Sequence, residues 1–275
     1  MQLDKLCVAC FSPTHTSMKI ARAIADGMHI ARREEIDLTT DPADTPISVR
    51  NAICIVAAPV YGGLVAPLAV RRIARLRAEN SIAIPVVVYG NRDYEDALVQ
   101  LRDLLHAQGF TPLCGAAFVG EHSYSTPGTP IAEGRPDTQD LAEAAAFGAR
   151  IGRKLAHGET GPIDAAKLRE PHTPLLSKLR FIRFVLGYRR RQKRTPAVLL
   201  PAGDAARCTQ CGRCVALCPT QAIARGDELH TDPARCIRCC ACVKGCAFGA
   251  RTFETPFAAV LSRNFARRKP PVTIM

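Results

Sequence analysis

Through the first 158 residues, the apolar and polar positions switch repeatedly between two periods. Strand-like runs occur at Lys5 to Phe11, Glu35 to Leu38, Ala52 to Ala57, Ile84 to Tyr89 and Leu113 to Val119. Between them, Ile20, Ala23, Ile24 and Met28 recur at helical spacing, and further helices are predicted over Ala66 to Ala78, Tyr94 to Ala107 and Thr138 to Leu155. Five strands alternating with helices imply a doubly wound α/β fold, a parallel sheet covered on both faces. Ligands of such sheets bind beyond the carboxyl ends of the strands, so the loops that follow the strands are where chemistry is expected.

Those loops carry suitable residues. The first strand leads into Ser12-Pro13-Thr14-His15-Thr16-Ser17, a hydroxyl-rich turn at a helix N-terminus. Backbone N–H groups and the helix dipole favour an anion such as phosphate there, although Ser and Thr also simply cap helices. The third strand is followed by Ala58-Pro59-Val60-Tyr61-Gly62-Gly63 and the fourth by Gly90-Asn91-Arg92-Asp93-Tyr94. Each pairs glycine, which lets backbone approach a ligand, with an aromatic ring able to stack on a flat heterocycle. After the fifth strand, Gly120-Glu121-His122-Ser123-Tyr124-Ser125 opens an excursion through Pro136, long enough to form a lid or a docking surface. His122 and Tyr124 are candidate contacts to a bound ring or substrate, or residues that pin the loop.

The second half changes character. Cys208-x-x-Cys211-x-x-Cys214-x-x-x-Cys218 recurs 28 residues on as Cys236-x-x-Cys239-x-x-Cys242-x-x-x-Cys246. Three thiolates two residues apart wrap three corners of an iron–sulfur cube, and in a two-cluster domain the fourth Cys of each run ligates the other cluster. The expected sets are therefore Cys208, Cys211, Cys214 with Cys246, and Cys236, Cys239, Cys242 with Cys218. Zinc would leave the third thiol of each run idle, and a disulfide framework calls for a small secreted chain. Ala247 stands where the first run has Pro219, and Cys240 where it has Gly212. Cys240 reads as a small residue facing away from the cluster. Cys7, Cys10, Cys54 and Cys114 fall on or near predicted strands and read as core.

On these residues the second half resembles a bacterial-type ferredoxin domain with two [4Fe-4S] clusters. Ser12-x-Thr14-x-Thr16, with Pro59-Val60-Tyr61-Gly62-Gly63 and Tyr89-Gly90-Asn91-Arg92, resembles the FMN loops of bacterial flavodoxin–ferredoxin fusion proteins. The resemblance implies a flavodoxin-like five-stranded sheet followed by a small α+β ferredoxin domain, with FMN and two [4Fe-4S] clusters as cofactors and electron transfer as the activity. The FMN contacts it implies are Ser12, Thr14, His15, Thr16, Ser17, Pro59 to Gly63, Gly90, Asn91, Arg92, Tyr94 and His122. The sequence departs from the family at His15, where flavodoxins usually have Gly; a positive φ there is less well tolerated by His.

Composition and charge narrow the setting. With 275 residues and 47% hydrophobic content the chain has room for a full-sized domain and a small one. Nothing near Met1 has a secretory-signal layout and no run of about eighteen apolar residues occurs, so a cytoplasmic protein is expected, in keeping with thirteen cysteines at largely metal-type spacing. The net charge of +12 is concentrated in residues 159–200, with ten Lys/Arg against three Asp/Glu, and in residues 256–275, with four against none. The expected division is 1–158, a basic linker 159–200, the cluster domain 201–255, and a basic tail 256–275 covering the small domain, with Pro162, Pro171, Pro174, Pro196 and Pro201 punctuating the boundary from Gly158 to Gly203.

In the linker, Leu175, Leu176, Leu179, Ile182, Phe184 and Leu186 alternate with Lys178, Arg180 and Arg183. Packing of these apolar residues onto the two domains ranks first, docking of an acidic redox protein second and a membrane surface third. No recognised DNA- or RNA-binding pattern accompanies the charge, which places nucleic acid last. The leading function is intramolecular electron transfer between the clusters and FMN, in exchange with an external low-potential partner. The alternatives are a flavin-dependent reductase of a small organic substrate fed by the clusters, and a docking domain without flavin that carries a ferredoxin. The sequence leaves carrier or enzyme, and oligomeric state, open.

Overall fold

The computed structural model describes residue 3, residues 5–168 and residues 175–275; Pro171 and Pro174 of the linker lie outside them. In chain order the first unit runs β1 (Lys5–Cys10), α1 (Thr16–Met28), β2 (Arg33–Asp37), β3 (Ile47–Arg50), β4 (Ala52–Tyr61), β5 (Leu64–Val65), α2 (Pro67–Ile73), β6 (Leu76–Glu79), β7 (Ile82–Tyr89), α3 (Ala97–Ala107), β8 (Thr111–Pro112), β9 (Gly115–Val119) and α4 (Thr138–Ala156). The main sheet has the spatial order β9-β7-β4-β1-β2, all parallel. Numbered along the chain, that is 2-1-3-4-5, the flavodoxin-like doubly wound order, with its switch point between β1 and β4. The expected fold is therefore present.

Alternation along each strand feeds two cores. In β1, Leu6, Val8 and Cys10 face α1 and α4 with Ile20, Ile24, Phe147 and Ile151, while Cys7 and Ala9 face α2 and α3 with Ile73, Leu98 and Leu105. Cys54 and Cys114 are also fully buried. Helices α1 and α4 approach at backbone distance: a Cβ on Gly148 would lie 2.0 Å from the Ile24 carbonyl oxygen. The helix predicted to reach Ala78 ends at Ile73, and the chain then pairs as β6 with β3 in a small parallel sheet. The side chains of Arg72 and Arg75 there are buried and donate to the Leu38 and Thr45 carbonyls, contacts that helical periodicity does not encode.

The second half contains α5 (Leu175–Arg194), β10 (Ala202–Gly203), α6 (Arg213–Ala216), α7 (Ala241–Lys244), β11 (Arg251–Thr252), α8 (Pro256–Asn264) and β12 (Val272–Ile274). β10 and β11 pair antiparallel within the small domain. The end of the tail returns to the large unit: β12 crosses back to pair antiparallel with β9 as an edge strand of the large sheet, and Arg268 pairs with Asp137 and Asp140. Ile163 and Leu168 of the linker are buried in the core on the α2 and α3 face of the sheet, whereas α5 docks by its aromatic residues and not by its leucines. Phe184 and Tyr188 of α5 pack on Phe257 with ring centres 5.1 and 5.0 Å apart, and Phe181 packs on Phe265 at 5.7 Å, so the leucines on the other face remain exposed.

Candidate cofactor sites

A cavity of about 290 Å³ lies at the carboxyl edge of the parallel strands, where β1 and β4 diverge. All the loops singled out in the sequence meet there. Ser12, Thr14, Thr16 and Ser17 form one end, Pro59 to Gly63 a wall, and Gly90, Arg92 and His122 the opposite wall. At the hydroxyl end the Ser12 Oγ accepts from the Met18 N–H at 3.1 Å, which fixes the turn at the start of α1. The Ser17 hydroxyl is buried with no partner among the described residues, and the first turn of α1 carries no acidic side chain. A buried unsatisfied donor beside a helix N-terminus fits an anionic group. Tyr61 and Tyr89 add flat aromatic surface further in. The residues present thus fit a phosphorylated ligand with a flat heterocycle.

Three candidates lie elsewhere. His15 is exposed, with φ +62° at the N-cap of α1, and does not line the cavity. Tyr94 is turned inward and packs its ring 5.6 Å from that of Tyr89, which takes the place in the cavity wall expected for Tyr94. Asn91, at φ +63°, directs its amide to the Phe265 and Arg267 carbonyls at 2.5 and 2.9 Å and so ties the tail to the sheet edge.

His122 is a neutral group. Burial pushes its pKa down to about 4, helped by the nearby charges of Arg92 and Lys244. Its Nδ1 accepts from the Tyr124 N–H at 3.0 Å, so the proton resides on Nε2. Burial also pushes the Tyr124 phenol up to about 12. The excursion after β9 is a docking surface: Lys244 of the cluster domain pairs with Glu121 at 2.5 Å and donates to the Ser125 carbonyl at 2.7 Å. A second strut joins the units where Arg72 donates to the Pro219 carbonyl at 2.7 Å.

Several lining residues escaped the sequence reading. Phe181 of α5 and Phe257 and Leu261 of α8 roof the cavity, with the Arg92 guanidinium 5.3 Å from the centre of the Phe181 ring. The available signal was the spacing of Phe181, Phe184 and Tyr188 along one face of α5. Arg238, between Cys236 and Cys239, also lines the cavity.

In the small domain the cysteines surround two further voids. Cys208, Cys211, Cys214 and Cys246 line one; Cys218, Cys236, Cys239 and Cys242 line the other. Each void thus takes three thiols from one run and the fourth from the other. No three His, Cys, Asp or Glu side chains among the described residues converge on a single-ion site, as zinc would require.

The 28-residue repeat extends into the backbone. Positive φ occurs at Gln210 and Arg238, at Gly212 and Cys240, and at Gln221 and Gly249. The Ala222 N–H donates to the Cys218 sulfur at 3.2 Å, and the Ala250 N–H to the Cys246 sulfur at 3.3 Å. Cys240 therefore occupies the left-handed position that Gly fills in the first run. It lines the same void as Cys239, and its thiol lies 3.7 Å from the Arg238 carbonyl oxygen. Arg251, buried, lines the first void and reaches to 4.0 Å from the Cys242 sulfur, which puts a cation between the two.

A family profile for the 4Fe-4S dicluster domain matches residues 201–247. Among solved structures, a flavodoxin from the domain Archaea is similar at 15% identity over 56% of this chain and 99% of that one, with a TM-score of 0.35. A WrbA-like flavodoxin from Agrobacterium tumefaciens is similar at 17% over 57% and 99%, with a TM-score of 0.36. An azoreductase from Bacillus anthracis str. Sterne is similar at 11% over 55% and 99%, with a TM-score of 0.38. No curated protein matches the chain. The likenesses to solved structures are loose, and the fold rests on the strand order described above.

Proposed function

We propose that this chain, a flavodoxin-like α/β unit fused to a 4Fe-4S dicluster domain, transfers electrons between its two clusters and FMN held in the large cavity, in exchange with an external low-potential redox protein. The observation that carries this reading is Arg238. It belongs to the Cys236–Cys239 loop and also lines the cavity, so the loop that carries two of the expected ligands forms part of the cavity wall. Tyr61 points the same way: burial raises its phenol pKa, and it lies close enough to Cys239, Cys240 and Cys236 to be coupled to them electrostatically.

The expected ligand sets place the cluster of Cys218, Cys236, Cys239 and Cys242 next to the flavin site. The set of Cys208, Cys211, Cys214 and Cys246 is the outer one, with Cys211 exposed to a partner. FMN, when bound, supplies the conversion between one-electron and two-electron transfer. Ser12, Thr14, Thr16 and Ser17 would hold its phosphate and Tyr61 and Tyr89 its ring, while Phe181, Phe257 and Leu261 exclude water from above. N–H groups donated to Cys218 and Cys246 and the charge of Arg251 favour the reduced, more negative clusters.

The test is to quantify iron, labile sulfide and flavin in anaerobically purified protein, then reduce the clusters with a one-electron donor and follow the flavin absorbance. About eight irons and one FMN per chain, with the flavin reduced through the clusters, are expected. Eight irons without flavin after FMN addition would sink the reading.

A second reading, reduction of a small organic substrate above the flavin, is favoured by the aromatic roof alone. In it Tyr124, protonated at neutral pH, rather than neutral His122 would be the acid. Sustained turnover with a quinone, lost in Tyr124→Phe while cluster-to-flavin transfer persists, would select it over a carrier.

A further inference from the structure

We infer that α5 is an interfacial helix that seats the chain on an anionic lipid surface. The helix has two apolar faces, and only one is used inside the protein. Phe181, Phe184 and Tyr188, at i, i+3 and i+7, pack against the tail. Leu175, Leu179, Ile182 and Leu186, at i, i+4, i+7 and i+11, form the opposite stripe, flanked by Leu176. Their exposures are 72, 54, 43, 50 and 60% respectively. A contiguous row of aliphatic side chains on the crest of a helix marks an interaction surface.

The charges choose the partner. Leu175–Arg194 contains eight Lys and Arg and no Asp or Glu. Lys178 and Arg189 lie along one flank of the stripe, Arg183 and Arg190 along the other, and Arg191, Lys193 and Arg194 continue beyond it. A second copy of the chain would oppose eight cations with eight cations. An acidic protein would answer the charge yet leave a convex aliphatic ridge to be covered. An anionic bilayer answers both: the leucines enter the acyl boundary while the flanking cations stay among headgroups. None of the described helices is long and apolar enough to cross a membrane, so α5 would lie in the interface plane. Since Phe181 lines the large cavity from the opposite face of α5, that cavity would sit one helix diameter, about 10 Å, from the lipid.

The test is sedimentation of the full, cofactor-loaded chain with vesicles of phosphatidylglycerol and phosphatidylcholine against vesicles of phosphatidylcholine alone. At least a tenfold preference for the anionic vesicles is expected. Leu179→Glu with Leu186→Glu should reduce binding at least tenfold with unchanged iron content and circular dichroism, because both side chains face solvent; if that pair fails to fold, Leu179→Ser with Leu186→Ser serves the same purpose. Arg183→Glu with Arg190→Glu should reduce it similarly. Absent or equal binding to the two vesicle types would overturn the inference. So would leucine variants that bind the anionic vesicles like the parent, since the surface would then answer charge alone.

Discussion

The two halves of the molecule build their sites in opposite ways. The α/β unit has two extensive cores, one on each face of its sheet, and its cavity is a by-product of where β1 and β4 part. The small domain has a core cluster whose buried members are Ile223 and two of the cysteines themselves, Cys214 and Cys242. In the first half the fold makes the site; in the second the ligands make the fold. A domain with so little apolar burial is held together by its metal–thiolate bonds and by struts to its larger neighbour, Arg72 and Lys244.

The most severe way to break that contrast is to remove a thiol that joins the runs. Cys218→Ser takes the fourth corner from the void formed by Cys236, Cys239 and Cys242. We expect the iron content to fall by half or more and the small domain to become protease-sensitive, while residues of the α/β unit keep their protection in hydrogen exchange. Equal loss of protection in both halves would show that the large unit also depends on the clusters. That would contradict its burial pattern.

A smaller effect probes the large unit through His122, whose pKa is pushed below its ordinary value of 6.5 to about 4 by burial. A folded value below the unfolded one means that the unfolded chain binds the proton more readily. The stabilising effect of keeping this ring neutral is therefore complete above about pH 6.5 and is lost as pH falls toward 4, roughly 3 kcal/mol in all. Urea unfolding of the α/β unit between pH 7.5 and 4.5 should show this slope, and His122→Gln should flatten it. A slope unchanged in the variant would assign the acid sensitivity to the carboxylates instead. Asp137, held well below the usual carboxylate range by Arg268 and the Asp140 N–H, is the first of these.

How much of this was legible follows from how local each cause is. The post-strand loops were identifiable because topology alone puts them at one edge, and the crossed cysteine sets because their spacing is a local rule. The choice between Tyr89 and Tyr94 was not, since it depends on which ring the loop buries. Asn91 was also misjudged, because its partners lie 174 and 176 residues away in the tail. The helix α5 is apolar on two sides, so periodicity could not say which side docks. β12 is three residues long, too short to read as a strand without the edge of β9 beside it.

The mildest test sharpens the contrast at a single backbone angle. His15 holds φ +62°, its N–H donates to the Ser12 carbonyl at 3.0 Å, and its side chain is exposed. A left-handed conformation costs a non-glycine residue about 1 kcal/mol or somewhat more, and glycine recovers only part of this because its unfolded state is freer. His15→Gly should therefore raise the melting temperature of the α/β unit by about 2 °C. Because the turn is closed by a bond within the protein, the strain is the same with or without a ligand. The substitution should then leave FMN affinity within about twofold, a difference below 0.5 kcal/mol. An affinity lowered tenfold, with stability raised as expected, would mean that the imidazole reaches the phosphate. A site residue would then sit outside the cavity wall, and the large unit, like the small one, would depend on a ligand to complete its site.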